Sequence, residues 1–280
     1  MIKPFYRQKE GLHMDKKIFF FDLDGTLLNS QKIVSPATKE ALKTFTDSGN
    51  HFVICTGRAM DSILQLQKKL SLFYPGTFLA AFNGAQIYDC DKEKTIYRTG
   101  ICVELVRRIF DLAAEHGIHM QTYSDTHIIT TSDDECTKYY RHFIPSPLLL
   151  SSDISSVLTV DPCKCIAIEL HDHQKMEQFR KALLPLVGNT LHVMYSNPYY
   201  LEIFPAEAGK GSAVTRLCDY LQIPIQNTLA AGDEQNDISM LETAGTGIAM
   251  LNATADVKLS ADFITTADND HDGLVPFLLA

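Results

Sequence analysis

The chain has 280 residues, of which 45% are hydrophobic and 21% charged, and its net charge is −9. That length and composition suit one large domain or two ordinary ones with a real apolar core. The acidic balance excludes the basic footprint of a nucleic-acid binder, and no apolar run approaches the ~20 residues that span a bilayer.

Residues 1–14 read as a loosely ordered leader without the apolar stretch of a signal peptide, and Met14 is an alternative start. Residues 18–22 are a short all-apolar run, the mark of a strand buried on both faces. A helix follows over 35–49, with Ser35 as N-cap, Pro36 at its first position and Gly49 as its stop. Strand 51–57, a helix over 59–71 and strand 78–84 continue the alternation of a parallel doubly wound sheet.

The rhythm then changes. Helix 101–116, strands near 118–123 and 127–131, and a short helix near 135–143 come first. Strand 164–170, helix 174–185 and strands near 190–195 and 200–204 follow, with a long loop at Pro145, Pro147 and the serines beyond. Closely spaced strands imply antiparallel pairing, hence an α+β unit. Alternation resumes with a helix over 208–223, whose Val214, Leu217, Cys218 and Leu221 share one face. Strand 227–233, a short helix, strands 246–250 and 261–265 and a closing helix complete it. The economical layout is a sheet domain over 15–86 and 205–280, interrupted by an insertion at 87–204.

Seven cysteines are scattered along the chain, and Cys163 and Cys165 are too close together for half of a usual zinc site. Reduced thiols in a cytoplasmic protein are expected.

Two of the strands end in acids, "FDLD" at 21–24 and "AAGDEQND" at 230–237. Ligands of open parallel sheets bind beyond the carboxyl ends of strands, where the connection order reverses. Setting these strands side by side collects Asp22, Asp24 and Asp233 there. With little else to neutralise them, they call for a hard cation of magnesium type, which takes carboxylates, waters and phosphate oxygens.

"DLDGT" resembles the nucleophile motif of the haloacid dehalogenase (HAD) superfamily. Three later motifs of that superfamily follow in order: "ICTGR" at 54–58, Lys210 in "GKG", and "GDEQND" at 232–237. The insertion, with "FNGA" at 82–85 and "LEIFPAEAGKGSAV" at 201–214, is similar to the large α/β cap of the Cof-type phosphatases. The resemblance implies a Rossmann-like core with an inserted α+β cap and a Mg2+-dependent phosphatase of small phosphorylated metabolites. Asp22 would attack phosphorus to form an aspartyl-phosphate, and Asp24 would serve as general acid and base. Anions around Asp24 would favour its protonated form. Asp22, Asp24 through its backbone carbonyl, and Asp233 would hold the metal, with Asp237 orienting them from behind. Leu23, Thr56, Gly57, Asn83, Lys210 and Asn236 would meet the phosphate or substrate. Gly25 and Thr26 would shape the turn.

Blander explanations exist for each part. "DxDG" without a glutamate twelve positions on is no EF-hand, and "GKG" lacks the rest of a P-loop. Lys210 alone would be a solvated surface lysine. His51, His116 and His119 have no ligand spacing, and Tyr195, Tyr199 and Tyr200 suit strand packing. Glu234 stands where relatives commonly have asparagine, and Leu251 where a glycine is usual, whereas Asp272 and Gly273 fit the family's ending. The alternatives are a phosphomutase or phosphotransferase using the same intermediate, and a non-catalytic sensor of phosphorylated ligands. Nothing in 87–204 names the substrate, with sugar phosphates and phosphorylated cofactors as the candidates, and a monomer is expected.

Overall fold

The structure, a computed structural model, describes residues 16–144 and 146–280, so the leader and Pro145 lie outside the described residues. The chain divides into two compact units, one holding the described residues up to Val53 together with Val214–Ala280, the other Ile54–Ala213.

The first unit opens with β1 (Ile18–Phe21), whose four side chains are all buried. Phe19 and Phe21 stack at 4.0 Å between ring centroids. Helix α1 (Pro36–Asp47) starts as the sequence predicts: Ser35 Oγ accepts from the Thr38 N–H at 3.0 Å, and Pro36 supplies a preset φ. Ser35 Oγ also donates to Asp272, which accepts from Thr38 Oγ1 at 3.0 Å as well, so the family-like ending braces the capping residue. Strand β2 (His51–Cys55) begins in this unit, where the His51 N–H donates to Lys17 O at 2.9 Å.

The second unit takes the end of β2, then α2 (Met60–Leu70) and β3 (Thr77–Ala81). The third strand stops three residues earlier than the sequence suggests, because Phe82 and Asn83 adopt left-handed φ of 51° and 55°. There the chain makes one 3-10 turn, Phe82–Gly84. Then β4 (Gln86–Asp89) and β5 (Lys94–Arg98), absent from the sequence prediction, form a hairpin whose first strand pairs antiparallel with β3.

Next come α3 (Val103–Glu115), β6 (His119–Tyr123), β7 (Ile128–Thr130) and α4 (Glu135–Phe143). The predicted long loop instead holds β8 (Leu148–Leu150) and α5 (Ile154–Val157). After these lie β9 (Cys165–Ile168), α6 (His173–Val187), β10 (Leu191–Asn197) and β11 (Tyr200–Pro205). Their strands build a separate six-stranded sheet in the order β10-β11-β9-β6-β7-β8, antiparallel except for the parallel pair β7–β8. Ile109, Met120, Phe179 and Leu201 belong to its apolar core.

Helix α7 (Lys210–Leu221) leads back to the first unit, with Val214, Leu217 and Cys218 buried as the periodicity requires and Leu221 partly so. There β12 (Thr228–Gly232), α8 (Ile238–Thr243), β13 (Thr246–Ala249), α9 (Ala255–Leu259), β14 (Phe263–Ile264) and α10 (Val275–Leu278) finish the chain. The strand order is β14-β13-β12-β1-β2, and β14 through β1 run parallel. From β1 the chain goes to β2 on one side and returns to β12 on the other. That reversal makes a crevice beyond the two strand ends.

The fold is thus α/β with a parallel-sheet core and a second sheet of α+β type. Among the described residues no helix is long and apolar enough to cross a membrane. No disulfide links the described cysteines. Burial pushes the Cys90, Cys163 and Cys218 thiols up to about 11 and those of Cys136 and Cys165 to about 12, so all five are neutral.

Candidate active site

Asp22 follows β1 directly. Its N–H extends the ladder to Ala231 O at 2.9 Å, and its carbonyl accepts from the Leu27 N–H at 3.2 Å. The segment 22–28 is therefore a closed loop with the acid at its mouth. Asp233 follows β12 in the same way, one strand over. One carboxylate oxygen from each of Asp22, Asp233 and Asp237 lies within 4.8 Å of the others, and all three residues are buried. Three hard oxygen donors with no nitrogen or sulfur among them suit magnesium or a similar cation.

Each acid is fixed by the chain around it. Thr26 Oγ1 donates to Asp233 Oδ1 at 2.7 Å, so this threonine ties the loop after β1 to the acid after β12. Asp237 Oδ2 accepts the N–H groups of Asp233 and Glu234 at 2.9 and 3.0 Å. Glu234 completes a reciprocal capping box with Asp237, which gives this departure from the family pattern a local structural role. Leu251 is exposed at the surface, and its N–H donates to Thr265 Oγ1 at 2.8 Å.

Two glycines are dictated by these acids. At Gly25, φ is +87° and a Cβ would stand 2.3 Å from Asp233 Oδ2; at Gly232 a Cβ would meet Asp237 Cβ at 2.4 Å. Gly25→Ala is expected to cost about 1–3 kcal/mol of stability and, by displacing Asp233, to cut turnover about a hundredfold. A thermal melt alongside a rate measurement checks this, and an alanine variant at wild-type rate would disprove the contact.

Asp24 stands apart from the acidic group. Its carboxylate is partly open to water and pairs with Lys32 Nζ at 2.9 Å, a cation the sequence argument did not weigh. Lys32 has a left-handed φ of 58° in a tight loop wound on Asn29 Oδ1, which accepts from the Gln31 and Ile33 N–H groups. The backbone beside Asp24 is braced too: Asn252 Nδ2 donates to Gly25 O at 2.8 Å. Leu23 is fully buried, and its carbonyl accepts from the Leu28 N–H. Asn236 is half-buried in the short turn Gln235–Asp237.

The remaining expected residues belong to the second unit. Thr56 is buried, with its Oγ1 accepting from the Arg58 N–H at 3.3 Å and its carbonyl from the Asn83 N–H at 2.9 Å. Gly57 faces the Asn83 amide. Lys210, at the start of α7, is only 1% exposed, which rules out the solvated surface lysine. An ammonium so withdrawn from water needs acceptors or negative charge around it. Gly84 and Gly209 lie back to back, since a Cβ on Gly84 would stand 2.6 Å from Gly209 O.

Sequence reasoning missed Lys164 and Glu202, a buried pair in this unit with Nζ–Oε1 of 3.1 Å. Their contact joins residues 38 positions apart, and no local pattern announces it. Three of the rings weighed in the sequence make structural contacts. His119 bonds Asp134 at 2.8 Å, Tyr195 donates to Glu177, and Tyr200 packs on Tyr139 and Tyr140. Burial raises the Tyr123 and Tyr140 phenols, whose hydroxyls bond at 2.6 Å, so both stay neutral.

Comparison with known proteins gives the family. A family model described as haloacid dehalogenase-like hydrolase matches residues 19–278. The chain belongs to the haloacid dehalogenase-like hydrolases. It resembles the 5-amino-6-(5-phospho-D-ribitylamino)uracil phosphatase YwtE of Bacillus subtilis, at 30% identity over 94% of this chain and 96% of that one. It is also similar to the pyridoxal phosphate phosphatase YbhA of Escherichia coli, at 29% identity over 95% and 98%. A crystal structure of a haloacid dehalogenase-like hydrolase from Bacteroides thetaiotaomicron superposes with a TM-score of 0.86 at 28% identity, covering 94% of this chain and 98% of that one. The match agrees with the Cof-type resemblance of the motifs.

Proposed function

We propose that this haloacid dehalogenase-like hydrolase is a magnesium-dependent phosphatase of small phosphorylated metabolites. The observation that carries the reading is the buried trio Asp22, Asp233 and Asp237, with Asp22 at the mouth of a closed loop and Asp24 two residues on. An Asp22 oxygen attacks phosphorus, the ester P–O bond breaks, and the departing oxygen takes a proton from Asp24. Water then attacks the aspartyl-phosphate and gives its proton to Asp24. The P–O bond to Asp22 breaks, and inorganic phosphate leaves. Asp24, open to water beside Lys32, exchanges that proton with solvent between turnovers.

Bound magnesium supplies positive charge that offsets the nucleophile and the phosphate; Asp22, Asp233 and the carbonyl of Asp24 would hold it, with Asp237 fixing Asp233. Lys210, Thr56, Gly57, Leu23 and Asn236 take the phosphate oxygens, and Asn83 lies on the substrate side. The insertion at 87–204 selects the organic group and shuts out water during the first step. The enzyme works as a cytoplasmic monomer with reduced thiols. The printed substrates of the two relatives, a phosphorylated ribityl compound and a phosphorylated cofactor, support sugar-derived and cofactor phosphates as the substrate class.

The test is to supply the purified protein and magnesium with a panel of sugar and cofactor phosphates and measure released phosphate. Release without an added acceptor is expected for at least one ester. Release from none rejects the phosphatase, and transfer only to an added hydroxyl assigns a phosphotransferase.

A further inference from the structure

Lys164, one residue before β9, is 3% exposed, and Glu202 in β11 is 8% exposed. Lys164 Nζ donates to Glu202 Oε1 at 3.1 Å and to the Gly57 carbonyl at 2.8 Å. Its charge also stands 5.9 Å from the centre of the Tyr123 ring, within cation–π range. The other Glu202 oxygen, Oε2, is 3.5 Å from Asn83 Nδ2. Taking both charges out of water is costly, and an apolar pair of similar volume often serves stability as well. Stability alone therefore gives this pair no reason to exist.

Its two outer ends supply the reason. One holds Gly57 and the other Asn83, and these two residues press together. A Cβ on Gly57 would lie 3.2 Å from Asn83 Oδ1, so the close approach leaves little room for a side chain. Glycine brings backbone freedom with it. The Lys164 bond takes that freedom back by fixing the Gly57 carbonyl. The rest of the turn is pinned from the neighbouring 3-10 turn, where the Phe82 N–H donates to Arg58 O and the Asn83 N–H to Thr56 O, both at 2.9 Å. Asn83 Oδ1 is buried and has no hydrogen-bond partner among the described residues, an acceptor held in place by Glu202.

We propose that Lys164 and Glu202 are positioning residues of this phosphatase, an internal ion pair that clamps the Gly57 carbonyl and the Asn83 amide so that the turn 56–58 meets a phosphate group in one fixed conformation. The inference rests on the phosphatase reading above for the use made of that turn. It assigns a task to two charged residues outside the four family motifs.

The test compares wild type with Lys164→Met, Lys164→Arg and the double variant Lys164→Met/Glu202→Leu, which removes both charges and leaves no buried ion unpaired. Inorganic phosphate affinity is measured by calorimetry in magnesium buffer, KM for p-nitrophenyl phosphate by phosphate release, and folding by circular dichroism. Phosphate binding is expected to weaken about tenfold or more in Lys164→Met and in the double variant, with KM rising in proportion and Lys164→Arg recovering most of the loss. A folded double variant with wild-type phosphate affinity overturns the proposal. Wild type that binds phosphate yet hydrolyses no ester rejects the phosphatase reading instead, and weakened binding in the variants would still support the clamp.

Discussion

Asp22→Asn is expected to give a folded protein that releases no measurable phosphate. The amide keeps the carboxylate's shape but is a poor nucleophile, and losses of at least about a thousandfold attend removal of such a group. The loop should survive, because its bonds to Ala231 and Leu27 run through the main chain of Asp22. One of three crowded charges also disappears. Two carboxylate oxygens within 4.8 Å of each other repel by about 3 kcal/mol or more at an effective dielectric of about 20. Without metal, the variant should therefore melt a few degrees above wild type. Phosphate release and paired thermal melts measure both effects; surviving turnover would discard the covalent intermediate, and a lower melting point would discard the repulsion.

Stripping divalent cations with a chelator is expected to abolish turnover, and excess magnesium to restore it. The same crowding predicts a readout independent of chemistry. An ion that binds only the folded trio stabilises it by about 2.7 kcal/mol at a hundredfold excess over its Kd, so magnesium should raise the wild-type melting point. Asp22→Asn, with less negative charge, should show a smaller rise. Full activity in chelator, or a melting point indifferent to magnesium, would remove the metal from the mechanism.

Long periodic elements and capped helices were legible in the sequence because their causes are local. Ser35-Pro36 fixed the start of α1, and the apolar spacing of Val214, Leu217 and Cys218 fixed the buried face of α7. The acidic strand ends were legible too, and β1 pairs with β12 in the register that sets Asp22 next to Ala231. The errors have tertiary causes. Strand β8 is three leucines after a proline, partly exposed, and it exists because β7 offers a parallel partner. The hairpin β4–β5 relies on β3 for its ladder, and β3 ends early because Phe82 and Asn83 turn left-handed. At the site, the assignment of Thr26 to Asp233 spans 207 positions, and Lys32 reaches Asp24 only because Asn29 winds the loop. Pairings of this kind have no period to detect.

Gly25 and Gly232 each leave a bare stretch of backbone against a carboxylate, so the acids are walled in by peptide groups as much as by side chains. Peptide dimensions do not drift when a sequence does. A chain that shares about three residues in ten with relatives such as these needs only two glycines to keep the ruler between its own acids.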